Sequence, residues 1–382
     1  MDNILKITFL VSATVIFLTY IFYPIFIFFL SRIKPSPSPN YLQEVPGVSV
    51  ILPVYNEESV VRRRLENLLD QTLFSKLEII VVSDASKDRT DEIVKSFNDS
   101  RIKLFRLDRR SGKAACINTG VEQSSNEILI FTDANTEFES DAIEKLVRNY
   151  GTFEVGGVCG YLEIKPSGKQ KAESGYWKFE RFLKEREGKL SSVCGANGAI
   201  YSIRKEYFKP LPSNKNVLDD FITSLQPLRF GKRLIFEREA MAREEASVTI
   251  SGEYRRKIRI GNADFNSIKE VLFLLNIFKC SWVSVFFVFH KLLRWFAPVF
   301  LLMLYFSNLF INSIFLFFNI TFIIQILFYL SGFIGWLFLR KGKYPPVLTA
   351  VTYFCIMNVS LLTGMLNWLT GDSKPYWEPV RR

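Results

Sequence analysis

Histidine is almost missing from this chain, with one residue, His290, in 382. A Ser-His-Asp triad or a zinc site built from imidazoles is therefore nearly excluded, because His290 sits in an apolar stretch with no second histidine to join it. Cysteine is also sparse: the five at 116, 159, 194, 280 and 355 form no CxxC pair and suit a reducing cytosol. Charge is missing from three long segments, Ile7 to Leu30, Phe296 to Leu339 and Tyr344 to Gly371. No module of interleaved basic and aromatic residues is visible. The net charge of +11 is accordingly assigned to residues that flank membrane spans and face anionic headgroups, not to nucleic-acid binding.

What the chain has instead is apolar surplus, with 48% hydrophobic residues and 36 Phe. At about 1.5 Å per residue, the first uncharged run crosses a hydrocarbon core of roughly 30 Å once. The second is long enough for two crossings divided by a turn near Asn319, and the third, opened by Pro345 and Pro346, for one more. Four spans are expected. The first is an anchor, since no small-residue cleavage pattern precedes Arg32. Arg32 and Lys34, then Arg340, Lys341 and Lys343, place those loops and the central domain in the cytoplasm. The same rule conflicts with four crossings at the basic tail, Lys374 to Arg382, which they would leave outside; one apolar run would then be re-entrant, and the sequence does not say which.

Between these ends, residues 40–265 read as a soluble α/β domain. Gly47 to Val54, Leu77 to Ser83, Ile102 to Leu107 and Ile128 to Thr132 have the composition of buried strands. Helical patterns at Glu57 to Gln71, Asp91 to Phe97 and after Gly112 alternate with them, which implies a mainly parallel sheet covered on both faces. Ligands of such sheets bind beyond the carboxyl ends of the strands. There the chain places Pro53-Val54-Tyr55-Asn56-Glu57, Asp84-Ala85-Ser86-Lys87-Asp88 and Asp133-Ala134-Asn135. Capping explains Asp88 and Ser140 but not acids at Asp84 and Asp133, which stand where strands end. Asp133 and Asn135 can offer oxygens to a hard divalent cation. Residues 266–295 mix apolar stretches with Lys269, Glu270, Lys279, His290, Lys291 and Arg294 and read as interfacial helices. Residues 1–34 form the anchor, 296–371 a membrane region of about three spans, and 372–382 a basic tail.

In order and spacing, PVYNEE, VSDASKDRT, GKAACINTG and FTDANTEF resemble glycosyltransferase family 2. The resemblance continues through GANGAIYSIRKEYF, VLDDF, YRRKIRIGNA, FHKLLRWFAP and YWEPVRR, and is strongest to the membrane-bound, cellulose-synthase-like branch. It implies a GT-A catalytic domain (Rossmann-like, mainly parallel) with transmembrane helices at both ends. It implies that Pro53, Tyr55, Glu57 and Asp84 form the nucleotide pocket, with Lys113 helping to hold the nucleotide. Asp133 and Asn135 match a metal-binding DxD position, with Mg²⁺ or Mn²⁺ as cofactor, and Asn135 departs from its second Asp. Asp220 matches the general base. Asp219 positions it or caps a following helix, Phe221 to Phe230. Gly195 and Asn197 lie on the acceptor side in a glycine loop that lets backbone approach a sugar. Arg256 and Arg259 match diphosphate-binding positions where polymerising members carry QxxRW, whose Gln and Trp are absent here.

The expected activity is inverting transfer from a nucleotide sugar, with uridine the family's usual base, to a lipid-linked or polysaccharide acceptor at the cytoplasmic membrane face. Its partners are that donor, that acceptor and membrane lipids, with no nucleic acid. Alternatives are transfer of one sugar to polyprenyl phosphate, and a membrane scaffold without turnover.

Overall fold

Runs of valine and isoleucine form strands where both faces can be buried, and this places the first half of the sheet. The structure is a computed structural model describing residues 2–33, 40–42, 44, 46–72, 76–165, 171–245, 250–311, 316–341 and 345–372. Lys34, Lys343, the YWEPVRR motif and the tail from residue 374 lie outside the described residues. The strands are β1 (Val48–Val54), β2 (Leu77–Ser83), β3 (Ile102–Arg106), β4 (Ile128–Phe131), β5 (Glu137–Phe138), β6 (Val155–Lys165), β7 (Tyr201–Arg204) and β8 (Arg233–Glu245). The helices are α1 (Asp2–Ile33), α2 (Val61–Leu69), α3 (Thr90–Lys95), α4 (Lys113–Glu122), α5 (Ala142–Val147), α6 (Lys171–Leu190), α7 (Asp219–Leu225), α8 (Ile250–Val271), α9 (Trp282–Phe310), α10 (Leu316–Arg340) and α11 (Pro346–Leu369).

Every residue of β1, β2 and β4 is buried, as continuous apolar strands require. One sheet runs in the order β3-β2-β1-β4-β7-β6-β8-β5. Its first four strands are parallel, as expected. Beyond β4 the pairing turns antiparallel through β7 and β6, returns to parallel at β8 and closes antiparallel with β5, so the complete sheet is mixed. This second half supplies the wall opposite the parallel strands' carboxyl ends.

The amino-terminal edge is fastened by a buried acid. Glu78 on β2 accepts from Ser49 Oγ at 2.6 Å, Lys103 Nζ at 2.6 Å and Ser125 Oγ at 2.7 Å, tying β1, β3 and the approach to β4 together. Burial alone would raise its carboxyl, but these donors outweigh it and lower it to about 2. A lowered folded pKa gives stability that is complete above the ordinary carboxyl value and is lost as pH falls through the folded one. Glu78→Gln should therefore lower the thermal midpoint at neutral pH. It should also flatten the loss of stability between about pH 4.5 and about pH 2, measured by fluorescence melting in detergent.

Four helices among the described residues are long and apolar enough to cross a membrane: Asp2–Ile33, Trp282–Phe310, Leu316–Arg340 and Val347–Leu369. The number agrees with expectation, but two boundaries move. The break between the second and third follows Phe310, and Asn319 lies within α10. The second begins at Trp282, so half of the stretch expected to be interfacial belongs to a span candidate. What remains of that stretch ends in a turn, Ile277–Cys280, where Phe278 is 98% exposed.

The helix α11 packs on α8 through paired glycines. A Cβ on Gly364 would lie 2.6 Å from the Asn262 nitrogen, and one on Gly261 would lie 3.2 Å from Leu361 Cα. Phe265 stacks on Trp368 with ring centres 5.6 Å apart, and Asn262 Nδ2 donates to the Asp372 carbonyl at 3.4 Å. In turn α8 is bound to the sheet domain: Leu218 N donates to Ser267 Oγ at 2.9 Å, and Asn216 Nδ2 to the Arg259 carbonyl at 2.9 Å.

Candidate active site

Two loops at the carboxyl ends of β1 and β2 are locked to one another before any ligand is considered. Asn56 takes a left-handed turn at φ 53°, which asparagine tolerates well. Its amide donates to Ser86 Oγ at 3.1 Å, and its side-chain oxygen accepts from Lys87 N at 2.8 Å. The Glu57 amide donates to Thr90 Oγ1 at 2.8 Å, and Asp88 accepts from the amides of Glu58 and Thr90. Pro53 shares a small crevice with Ile51, Phe131 and Lys113, and the Arg110 guanidinium lies over Tyr55, 3.8 Å from its ring centre.

Asp84 is fully buried and accepts from the amides of Ser111 at 2.6 Å and Gly112 at 3.0 Å. Gly112, at φ 93°, then turns the chain into α4 so that Lys113 is its first residue. Both carboxylate oxygens of Asp84 thus hold the loop that delivers Lys113.

The Lys113 ammonium joins two acids that are distant in sequence, lying 2.8 Å from Asp133 and 3.0 Å from Asp219. Burial would lower its pKa, but Asp133, Asp219 and Asp220 outweigh burial and raise it. Asp219 is pushed up, first by burial and then by Asp220 and Asp133, against the pull of Lys113. Asp220 is oriented by its own helix start, where Phe221 N donates to Oδ1 at 2.8 Å. Asp219 is the first residue of α7 and not its cap, a position held by Leu218, and the helix continues as a tighter turn, Gln226–Phe230.

The glycine loop packs closely on the start of α7. Gly195 has φ 96°, and a Cβ there would lie 2.4 Å from Phe221 Cδ2; a Cβ on Gly198 would lie 3.1 Å from Asp220 Oδ2. These glycines make room for Phe221 and the Asp220 carboxylate. Gly195 does not line the cavity. Asn197 does, and it accepts from Lys184 Nζ at 2.5 Å while donating to the Gly160 carbonyl at 3.3 Å.

These groups open into a cavity of about 900 Å³. Lys113, Asp133, Asp219 and Asp220 form one wall, Arg256 and Arg259 of α8 another, and Tyr353, Met357 and Leu361 of α11 an apolar roof. Pro53, Tyr55, Glu57, Asp84 and Asn135 lie outside its lining. Sequence reading missed Glu180, His290, Lys291 and Arg294, which close the far end. It also missed Arg64, buried beneath the β4 end and donating to Thr132 at 2.8 Å; burial lowers its guanidinium to about 9 against the pull of Asp133 and Glu244. The available signal was the spacing of Glu180, Lys184 and Glu187 on one face of α6.

Among the described residues, no group of three or more His, Cys, Asp or Glu side chains is arranged to hold a metal alone. Asp133, which lines the cavity, and Asn135, which lies outside its lining, carry hard oxygen donors of the kind a divalent cation takes once a diphosphate contributes further oxygens.

Residues 49–210 match the family model Glycosyl transferase family 2. The chain is 25% identical over 266 residues to poly-beta-1,6-N-acetyl-D-glucosamine synthase of Staphylococcus epidermidis, covering 64% of each. It is 36% identical over 133 residues to glycosyltransferase AglE of Haloferax volcanii, covering 34% of this chain and 44% of that protein. It therefore spans less than two thirds of these curated relatives. In fold it superposes on the mannosyltransferase PcManGT of Pyrobaculum calidifontis, solved with GDP-Man and Mn²⁺, with a TM-score of 0.69 at 18% identity over 95% of this chain and 99% of that one. The mixed α/β sheet is of the expected GT-A class, and its residues 49–210 match the model of glycosyltransferase family 2, the family that the motifs resemble.

Proposed function

We propose that the chain is an inverting glycosyltransferase that moves a sugar from a nucleotide-sugar donor, a UDP-sugar, to a lipid-linked or polysaccharide acceptor at the cytoplasmic face of the membrane. The observation that carries this reading is Lys113, clamped between Asp133 and Asp219 beside Asp220 at the head of a cavity roofed by apolar helix.

Asp220 takes the proton of the acceptor hydroxyl as that oxygen attacks the anomeric carbon. The bond to the nucleotide diphosphate breaks on the opposite side, its electron pair leaves with the diphosphate, and configuration inverts. Lys113, Arg256 and Arg259 offset the charge that grows there. Pro53, Tyr55 and Glu57 border the nucleotide, and Asp84 holds the Lys113 loop. Asn197 and the Gly195 loop seat the acceptor beside Asp219. A divalent cation held by Asp133 and Asn135, when bound, supplies further neutralisation of the diphosphate.

The test is to supply membranes containing the chain with a panel of nucleotide sugars and count released nucleotide diphosphate, with Asp220→Asn as control. Release that equals the control for every donor would remove the reading. The relatives include a poly-N-acetylglucosamine synthase, so UDP-N-acetylglucosamine belongs in the panel.

The basic tail raised a conflict that α11 resolves if it lies in the membrane without crossing. Its early residues Thr349 and Ala350 face the same cavity as Lys113, while its end is held by Asn262 and Phe265 of α8. Both ends then stay on the catalytic side, and the tail remains in the cytoplasm as its charge requires. An epitope appended after Arg382 should resist protease in intact cells and be cut only in opened ones. Cutting in intact cells would make α11 a true span.

A further inference from the structure

The His290 ring lies fully buried between two buried carboxylates. Nδ1 is 2.6 Å from Glu187 Oε1, and Nε2 is 3.1 Å from Glu180 Oε2. Both acids belong to α6, two helical turns apart on one face, so the ring from α9 bridges them. Glu187 is a junction: its Oε1 also accepts from the Tyr23 hydroxyl of α1 at 2.7 Å, and its Oε2 accepts from the Cys194 amide at 3.2 Å. Glu180 accepts in addition from Lys291 at 3.2 Å and from Arg294. Between the two acids, Lys184 reaches Asn197 at 2.5 Å.

The charges facing the ring come from every side. Glu180, Lys184 and Glu187 stand on α6, Lys291 and Arg294 on its own helix, and Tyr23 on α1. Cys194 and Asp264 act on the same network from the glycine loop and from α8. Burial would raise the Glu180 carboxyl, but Arg294, Lys291 and His290 hold it well below the usual range. Glu187 is likewise lowered against burial, by His290, Tyr23 and the Cys194 amide. Each ring nitrogen stands within hydrogen-bond reach of a carboxylate oxygen of α6, so the ring ties α9 to two points of that helix.

We propose that His290 is a positioning residue. Bonded through its two ring nitrogens to Glu187 and Glu180, it locks α9 to α6, and through Glu187, which also holds Tyr23 of α1 and the Cys194 amide, it fixes the loop from Cys194 to Gly198 against which the acceptor is presented. The acceptor part of this statement rests on the transferase reading, while the lock itself does not. No atom of His290 takes part in the transfer of the sugar.

Two measurements on the full-length chain in detergent decide the lock without any donor. In His290→Gln, alkylation of Cys194 followed by mass spectrometry should rise about 10-fold while Cys116 in α4 stays protected, the mark of a local opening. Tyr23→Phe, which removes one donor to Glu187 and leaves the ring, should give a smaller rise of about 3-fold and covers the case in which the first variant does not insert. An unchanged Cys194, or Cys116 and Cys194 opening together, would each overturn the proposal. Once a donor is known, His290→Gln should lower acceptor kcat/KM by about 10²-fold while donor hydrolysis by water changes less than about 2-fold. Parallel loss of both would mean that the network only holds the fold. Absence of transfer in the unaltered chain would count against the transferase reading, and the cysteine results would still decide the lock.

Discussion

Asp220→Asn is expected to lower kcat by about 10²–10⁴-fold, the usual contribution of a positioned general base, with donor KM nearly unchanged. The change is isosteric. Its side-chain oxygen can still accept from the Phe221 amide that now orients the acid at 2.8 Å, so α7 should start unaltered. The space beside it, kept open by Gly198, needs no adjustment. Initial rates at saturating acceptor, together with donor affinity by calorimetry, separate lost chemistry from lost binding. A fall of less than about 10-fold would show that another group takes the proton.

Lys113→Met should cost about 10²–10³-fold in kcat/KM, mainly as weaker donor binding, because it removes the cation that faces the leaving diphosphate. It also leaves Asp133, Asp219 and Asp220 confronting one another without the ammonium that now lies within 3.0 Å of two of them. Asp219 is already pushed up by burial and by its two acidic neighbours, and loss of Lys113 removes the influence that opposes them. Its carboxyl should therefore take up a proton at higher pH than in the unaltered chain. Stability should change less than activity, since the cluster opens to a wet cavity. Donor affinity and a thermal melt, measured on one preparation, check both halves. Lys113→Arg should restore part of the binding but not the geometry.

How much of this was legible in sequence depended on how far each residue's partner lies along the chain. The strands β1, β2 and β4 could be read because burial on both faces leaves an uninterrupted apolar run. The second half of the sheet could not. In β6 the run is interrupted by Gly156, Gly157 and Gly160, and β8 reads RLIFEREAMAREE, in which the acids Glu237 and Glu244 are buried along with Leu234, Ala240 and Ala242, so no apolar run marks the strand. Asp133, Lys113 and Asp220 were legible as motifs. That Lys113 would touch Asp219, or that Asp84 would serve the loop before Lys113, requires the fold. Gly195 was correctly marked as a tight position, yet its reason, the Phe221 ring, lies in another element. The same distance effect explains α9. His290, Lys291 and Arg294 looked like the polar face of an interfacial helix, because the acids that neutralise them, Glu180 and Glu187, stand more than a hundred residues earlier. The break expected at Asn319 falls elsewhere because one amide inside a long apolar helix does not end it.

Glu78 and Lys113 hold opposite rims of the same sheet, one by knitting strands together and the other by gathering acids around an opening. Lesions at the two rims should consequently leave different signatures in living cells. Those near Glu78 should deplete the protein and be relieved by growth in the cold or by other stabilising changes. Those near Lys113 should leave a full complement of well-folded, silent enzyme that no such change revives.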